Sequence, residues 1–286
     1  MQALWMVVAS FFFACMGACV KLAAATHSAM EIVFYRSFIS LLFMLALVKL
    51  RGVSLRTPHW RWQVSRGLLG FSALCAYFWA ISVLPLATAV TLNYTSAMFL
   101  ALFLALAGLR LNAAMLGALT GGLAGVIVLL KPTFNETQIG AGVVGLGSGA
   151  LAAMAYFSVR ELGARGEPET RTVFYFALVS TLCSGAWLLR SVVHPVDLRA
   201  GVLLLAVASF ATAAQLAMTR AYSAGRTLMA AALAYSTVVF ASLFGMLLWN
   251  ETYDASTWLA IGLIVLSGLA ATHGSRQTPA PTLPAP

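Results

Sequence analysis

The sequence predicts an all-α membrane protein of ten transmembrane helices arranged as two inverted five-helix repeats. Three observations carry that reading. Of 286 residues, 61% are hydrophobic and only 9% charged, with a mean hydropathy of +0.91. A soluble domain carries about 25% charged residues, so this chain has too little charge to cover a surface in water. Polar or Pro/Gly breaks then divide the chain into ten apolar segments, each close to the roughly 20 residues a bilayer-spanning helix needs. Finally, residues 80–121 lie over residues 221–262 without a gap, which brings Tyr94 onto Tyr235, Phe99 onto Phe240, Phe103 onto Phe244 and Gly121 onto Gly262.

The segments are 3–24, 30–49, 64–83, 86–108, 112–130, 139–160, 171–190, 200–221, 227–249 and 254–272. The first opens as MQALWMVV with no basic residue before the apolar run. That run is too long for the core of a cleavable signal, so it reads as a retained helix. Cys15, Cys19, Cys75 and Cys183 all lie inside apolar segments and read as small buried apolar residues. The tail QTPAPTLPAP is Pro-rich and without periodicity, which reads as disorder. The organisation is therefore a first repeat over 1–135, a second over 136–273 and a cytoplasmic tail over 274–286.

Ten spans put both termini on one side, and the bias of Lys and Arg toward cytoplasmic loops chooses the side. With the N-terminus inside, twelve Lys and Arg fall in cytoplasmic segments, against Lys131, Arg190 and Arg199 outside, with Lys21 and Arg36 left within spans. The same bias explains the net charge of +9 without nucleic acid. The expected setting is a bacterial cytoplasmic membrane, with both termini cytoplasmic. An odd number of helices per half forces the second half to enter the membrane upside down. Inverted repeats are a recurrent design of secondary transporters and place the substrate near the midplane between the halves.

Other chemistries find no support in the residues. There is no HExxH or GxSxG, and His27, His59, His194 and His273 are scattered, so neither an enzyme nor a metal centre is expected, and no cofactor. Gly140, Gly142 and Gly145 spell G-x-G-x-x-G, but a dinucleotide site needs a soluble βαβ unit around it. The small residues at Gly117/Gly121/Gly125 and Gly145/Gly149 instead suit close helix packing or a homodimer contact.

Three stretches resemble the EamA family of the drug/metabolite transporter superfamily. They are FYRSFIS in the second segment, RGLLGFSALCAYFWAISVLPLATAVTLNYTSAMF across the third and fourth, and FASLFGMLLWNETYDASTWLAIGLIVLSGL at the end. The resemblance runs to about residue 272. Its most specific element is a Glu closing the ninth helix with a Gly about eleven residues later, matched by Glu251 and Gly262. The first repeat departs from the family pattern, with Arg110 in place of the equivalent Glu. The resemblance implies the DMT transporter fold and a small-molecule substrate moved by alternating access. The alternative is a flippase of a lipid-linked substrate on the same fold.

At about 1.5 Å of rise per residue, Asn93, Tyr94 and Thr95 lie near the midplane, as do Tyr235, Ser236 and Thr237. If the repeats face one another, Tyr94 and Tyr235 line one cavity. Tyr77, Trp79, Tyr156 and Gln215 are the further expected wall residues, with Thr212 beside them. Aromatic walls with a few hydroxyl and amide groups suit a small organic solute. No Asp or Glu lies mid-span, which disfavours a cationic drug and proton coupling through a buried acid. Lys21 and Arg36 favour a neutral, zwitterionic or anionic solute, such as an amino acid or an aromatic compound. Arg36 stands in EIVFYRSFIS beside Glu31. Its side chain either snorkels to the headgroups or, with Lys21 and Glu31, forms a charged outer mouth or gate. Arg160 beside Glu161 is the expected counterpart on the cytoplasmic side.

Overall fold

The computed structural model describes residues 2–84, 86–108, 113–130, 139–191, 193–223, 226–250 and 254–274. After a 3-10 turn at Gln2–Leu4 come α1 Trp5–Ala23, α2 Ala29–Leu50, α3 Trp60–Val83, α4 Leu86–Tyr94, α5 Ser96–Leu106 and α6 Ala113–Leu130. The second half holds α7 Ile139–Ala164, α8 Glu169–Leu188, α9 Leu198–Ser223, α10 Thr227–Ala234, α11 Ser236–Trp249 and α12 Ala255–Gly274.

Among the described residues twelve helices make ten rods, because α4–α5 and α10–α11 are each interrupted at one residue. Thr95 and Tyr235 keep right-handed helical backbone angles, so the chain runs on in one direction. Each break carries the same local bond. Thr95 Oγ1 donates to the Leu92 carbonyl at 2.5 Å, and Ser236 Oγ donates to the Leu233 carbonyl at 2.7 Å. A hydroxyl that bonds back to a carbonyl of the preceding turn loosens the ladder and bends the helix. Leu92 and Thr95 are the partners of Leu233 and Ser236 at the sequence offset that aligns Tyr94 with Tyr235.

Six described spans are long and apolar enough to cross a bilayer: α1, α2, Ala89–Leu106, α7, α9 and Thr227–Leu248. The polar residues in the first two turns of α3 (Arg61, Gln63, Arg66) and in the opening turn of α8 (Glu169, Arg171) lower their hydropathy. The protein is a multi-pass membrane protein. Outward-facing Leu, Val and Trp side chains such as Leu182, Trp187, Leu259 and Leu266 are exposed, as expected where the surround is hydrocarbon.

The chief helix pairings are α3 with α7, α1 with α9, α2 with α8 and α6 with α12. Exchanging the first five rods for the last five turns α3·α7 into α9·α1 and maps α2·α8 and α6·α12 onto themselves. Small residues set the closest approaches. A Cβ on Gly149 would stand 2.8 Å from the Leu92 carbonyl oxygen, and one on Gly163 would stand 2.6 Å from Ser223 Cα. The Gly145/Gly149 motif therefore packs α7 on α4. Gly117 has open space around it.

On the side where α2 passes to α3 and α7 to α8, a polar cluster fastens the connections. Glu167 accepts from Thr57 Oγ1, from Gln63 Nε2 at 3.1 Å and from Arg171 Nη1 at 2.8 Å. Arg171 Nε also donates to the Ser54 carbonyl at 2.7 Å, and Tyr175 donates to that of Leu55 at 3.1 Å. Burial raises the Glu167 pKa, but the bonds from Thr57 and Arg171, the Arg171 charge and the bond from Gln63 outweigh it and hold the carboxyl below its ordinary value.

Two outcomes follow. Gly163→Ala drives a methyl into α9 backbone and should cost about 1–3 kcal/mol, read as a lower unfolding temperature in detergent. A depressed folded-state pKa contributes stability that is complete above the ordinary carboxylate value and is lost as pH falls through the folded value. The unfolding temperature should therefore fall below about pH 4.3, and Glu167→Gln should show a lower plateau at neutral pH with a shallower acid decline.

Candidate functional site

Between the halves lies a cavity of about 1020 Å³. At one end it is lined by Lys21, Ala24 and Ser28, which are exposed; at the other by Arg66, Gln215, Met218 and Tyr222, which are buried. The cavity thus opens at the α1–α2 connection and is closed toward the side of the Glu167 cluster. At the closed end Tyr156 and Tyr222 stack with ring centroids 4.8 Å apart and planes 13° from parallel.

Most of the expected wall residues meet here. Tyr77, Asn93, Tyr94, Tyr156, Gln215, Tyr235 and Thr237 all line the cavity. The Tyr94 and Tyr235 rings, one from each half, touch at 5.8 Å and 55°. Asn93 Nδ2 donates to Ser148 Oγ at 3.1 Å, tying α4 to α7. Thr212 lies behind the wall, where its hydroxyl donates to Ser40 Oγ at 2.7 Å.

Trp79 differs from expectation. It is 48% exposed and is not part of the lining. Two residues on from Tyr77 is about 200° around a helix, so the ring that follows a wall residue at that spacing faces the lipid. Arg160 is also outside the cavity. It is buried at the end of α7, pairs with Glu161 at 2.6 Å and stands over the Phe157 ring.

Lys21 and Arg36 both line the cavity, so the Arg36 side chain is directed between the halves and not outward to the headgroups. Glu31 does not answer it. The Glu31 carboxylate is fully buried and accepts from Ser28 N at 2.6 Å, from His194 N at 2.6 Å and from His194 Nδ1 at 3.0 Å. Ser28 Oγ in turn accepts from Glu31 N, completing a capping box at the start of α2. Glu31 thus staples the open rim of α2 to the α8–α9 connection. Beside it, His27 lines the cavity, and its Nε2 has no hydrogen-bond partner among the described residues.

Sequence reasoning placed Arg66 in a cytoplasmic segment, and the structure places it in the site. Arg66 is 3% exposed. Its Nη2 donates to Gln215 Oε1 at 3.2 Å, and its guanidinium carbon lies 4.1 Å from the centre of the Phe176 ring, a cation–π contact. Gly70, one turn on, makes room: a Cβ there would lie 2.5 Å from Arg66 Nη1. Arg66 Nε and Nη1 have no partner among the described residues. An Arg seven residues into a helix, followed by Gly at i+4, was the available signal. Among the described residues the lining includes Lys21, Arg36, Arg66 and His27 but no Asp or Glu.

A membrane protein of ten helical rods enclosing a solute-sized, one-ended cavity belongs to the class of transporters. The chain is a member of the EamA-like transporter family, whose model matches residues 1–131 and again residues 140–271. It is 37% identical over 265 residues to the pseudopaline exporter of Pseudomonas aeruginosa, covering 92% of this chain and 93% of that protein. It is 23% identical over 279 residues to the riboflavin transporter of Vibrio cholerae, covering 93% and 90%. A crystal structure 21% identical in sequence shares the fold with a TM-score of 0.83, covering 96% of this chain and 99% of that one. The family signature at Glu251 and the departure at Arg110 lie outside the described residues; Gly262 lies on α12.

The Glu31 staple yields a graded outcome. Glu31→Ala leaves the Ser28 and His194 amides without acceptors, at about 1–3 kcal/mol each, and should lower the unfolding temperature sharply. His194→Ala keeps the backbone bond and should lower it less. Equal losses in the two variants would mean that the ring, and not the amides, carries the contact.

Proposed function

We propose that the protein is a secondary transporter that moves a small organic metabolite bearing an acidic group across the cytoplasmic membrane by alternating access. The single observation behind this reading is the cavity: solute-sized, walled by aromatic rings and lined by cations with no described carboxylate. Such a lining favours anionic and zwitterionic solutes over cations. The name of the pseudopaline exporter supports outward movement.

Alternating access needs two arrangements of one scaffold. The two halves supply it if they are inverted copies, a reading supported by the twofold family match, the exchange-symmetric helix pairings and the matching breaks after Leu92 and Leu233. With both termini cytoplasmic, as the Lys and Arg distribution favours, the open mouth at Lys21 and Ser28 faces outward and the Tyr156–Tyr222 end is the closed inner side. Tyr94 and Tyr235 then form the central aromatic contact, and Lys21 the charged outer rim.

The test compares small organic metabolites inside and outside cells with and without the protein, then follows flux of any compound that differs in proteoliposomes. An acidic metabolite should accumulate outside only when the protein is present, and flux should persist without an imposed pH gradient. Identical metabolite profiles would overturn the transport reading. Flux strictly dependent on a proton gradient would overturn the uncoupled or exchange mode.

A further inference from the structure

The closed end of the cavity holds two cations that the described residues do not neutralise. Arg66 rises from α3 and Arg36 from α2. They converge on shared neighbours, since Phe176 and Gln215 touch Arg66 and, with Arg36, line a recess behind the main cavity. Both cations thus stand against Phe176 and Gln215. Neither makes an ion pair with a described acid, and the six acids that carry described ion pairs or caps, Glu31, Glu161, Glu167, Glu169, Asp197 and Asp254, are engaged elsewhere. Taking an ion out of water without a partner is costly, and two like charges side by side add to that cost. The surrounding contacts hold Arg66 rigidly while leaving Nε and Nη1 without acceptors: the Phe176 ring supports one face, Gln215 takes Nη2 and Gly70 clears the space beside Nη1.

Building on the transport reading, we infer that Arg66 and Arg36 are the substrate's carboxylate subsite, with Arg66 Nε and Nη1 donating to the acid group and Gln215 fixing the guanidinium. The group bound is a carboxylate and not a phosphate. Phosphate sites gather more charge and backbone N–H donors, commonly at a helix N-terminus, and this end of the cavity is made of two side-chain cations set within helices. Lys21 and His27, at the mouth, belong to the path of entry and not to the subsite.

The experiment measures thermal unfolding of the purified full-length protein with matched probes: benzoate against benzamide, glutarate against glutaramide, phenylalanine against its amide, and inorganic phosphate alone. A ligand present at about ten times its Kd stabilises by RT ln(1 + [L]/Kd), enough for a shift of several degrees. At least one acid should raise the unfolding temperature well above its amide. That difference should vanish in Arg66→Gln and in Arg36→Gln and be reduced in Arg66→Lys, whose single ammonium lacks the guanidinium's spread of donors. Should Arg66→Gln fail to fold, phenylglyoxal labelling of the wild type replaces it: the acid, not the amide, should protect Arg66 and Arg36, located by peptide mass spectrometry.

Equal shifts by acid and amide throughout the set would overturn the subsite, as would an acid-specific shift that survives Arg66→Gln. A larger effect of phosphate would overturn the choice of carboxylate. Failure here is separable from failure of the transport reading. Cells that export a metabolite with no acid group would leave transport standing and remove the subsite. An acid-specific shift in a protein that moves nothing would do the reverse.

Discussion

Hydrocarbon offers no hydrogen bonds, and the rest of the structure follows from that fact. Every backbone amide and carbonyl at membrane depth must find its partner within the protein, which is why the described chain is helical wherever it crosses. The same constraint governs the two places where the ladder loosens. At Thr95 and at Tyr235 the chain stays in helical geometry, and a hydroxyl bonds the carbonyl three residues back. These softened turns lie where the Tyr94 and Tyr235 rings meet between the halves, so irregular backbone sits beside the cavity, where protein can enclose it.

Charges obey a stricter form of the rule. At the side of the α2–α3 connection, acids and bases are matched: Glu167 with Arg171, Glu161 with Arg160 and Arg165. At the opposite rim the buried Glu31 is held by two backbone amides and a His ring. Both ends are therefore fastened by bonds that can be broken locally without disturbing the apolar pairings between helices. Between these fastenings, at the closed end of the cavity, the charge of Arg66 and Arg36 is paired with no described acid.

Much of this was legible in the sequence. The length a bilayer demands fixed the ten rods to within a few residues, and the gap-free offset brought Tyr94 and Tyr235 together before any coordinate did. The helix breaks were not legible, because one hydroxyl bonding backward leaves no mark on hydropathy. Arg66 escaped notice for a related reason. It follows Arg61 in the polar first two turns of α3, where the charge bias of cytoplasmic loops accounts for it equally well, and only the neighbouring Gly70, Phe176 and Gln215 distinguish a buried cation from an anchoring one. Trp79 erred the other way: an aromatic near a wall residue was grouped with it, although the helical period turns it to the lipid.

The cations of the cavity's closed end come from one half alone. α8 and α9, the counterparts of α2 and α3, carry Arg171, Arg199 and Arg220 only in their end turns and no Lys or Arg between them. Helix pairings that are symmetric to exchange of the halves thus carry a one-sided charge. With the proposed acid subsite, such an arrangement would tell the head of its cargo from the tail. If Arg66 and Arg36 hold the cargo's acid group, as proposed, the charged head of an elongated acid points toward the side of the α2–α3 connection from whichever face it is loaded, and a rocking of the helices would not turn it over. On that proposal the cargo would cross without somersaulting, its two ends would meet different rims, and a bulky tail would need to fit past only one of them.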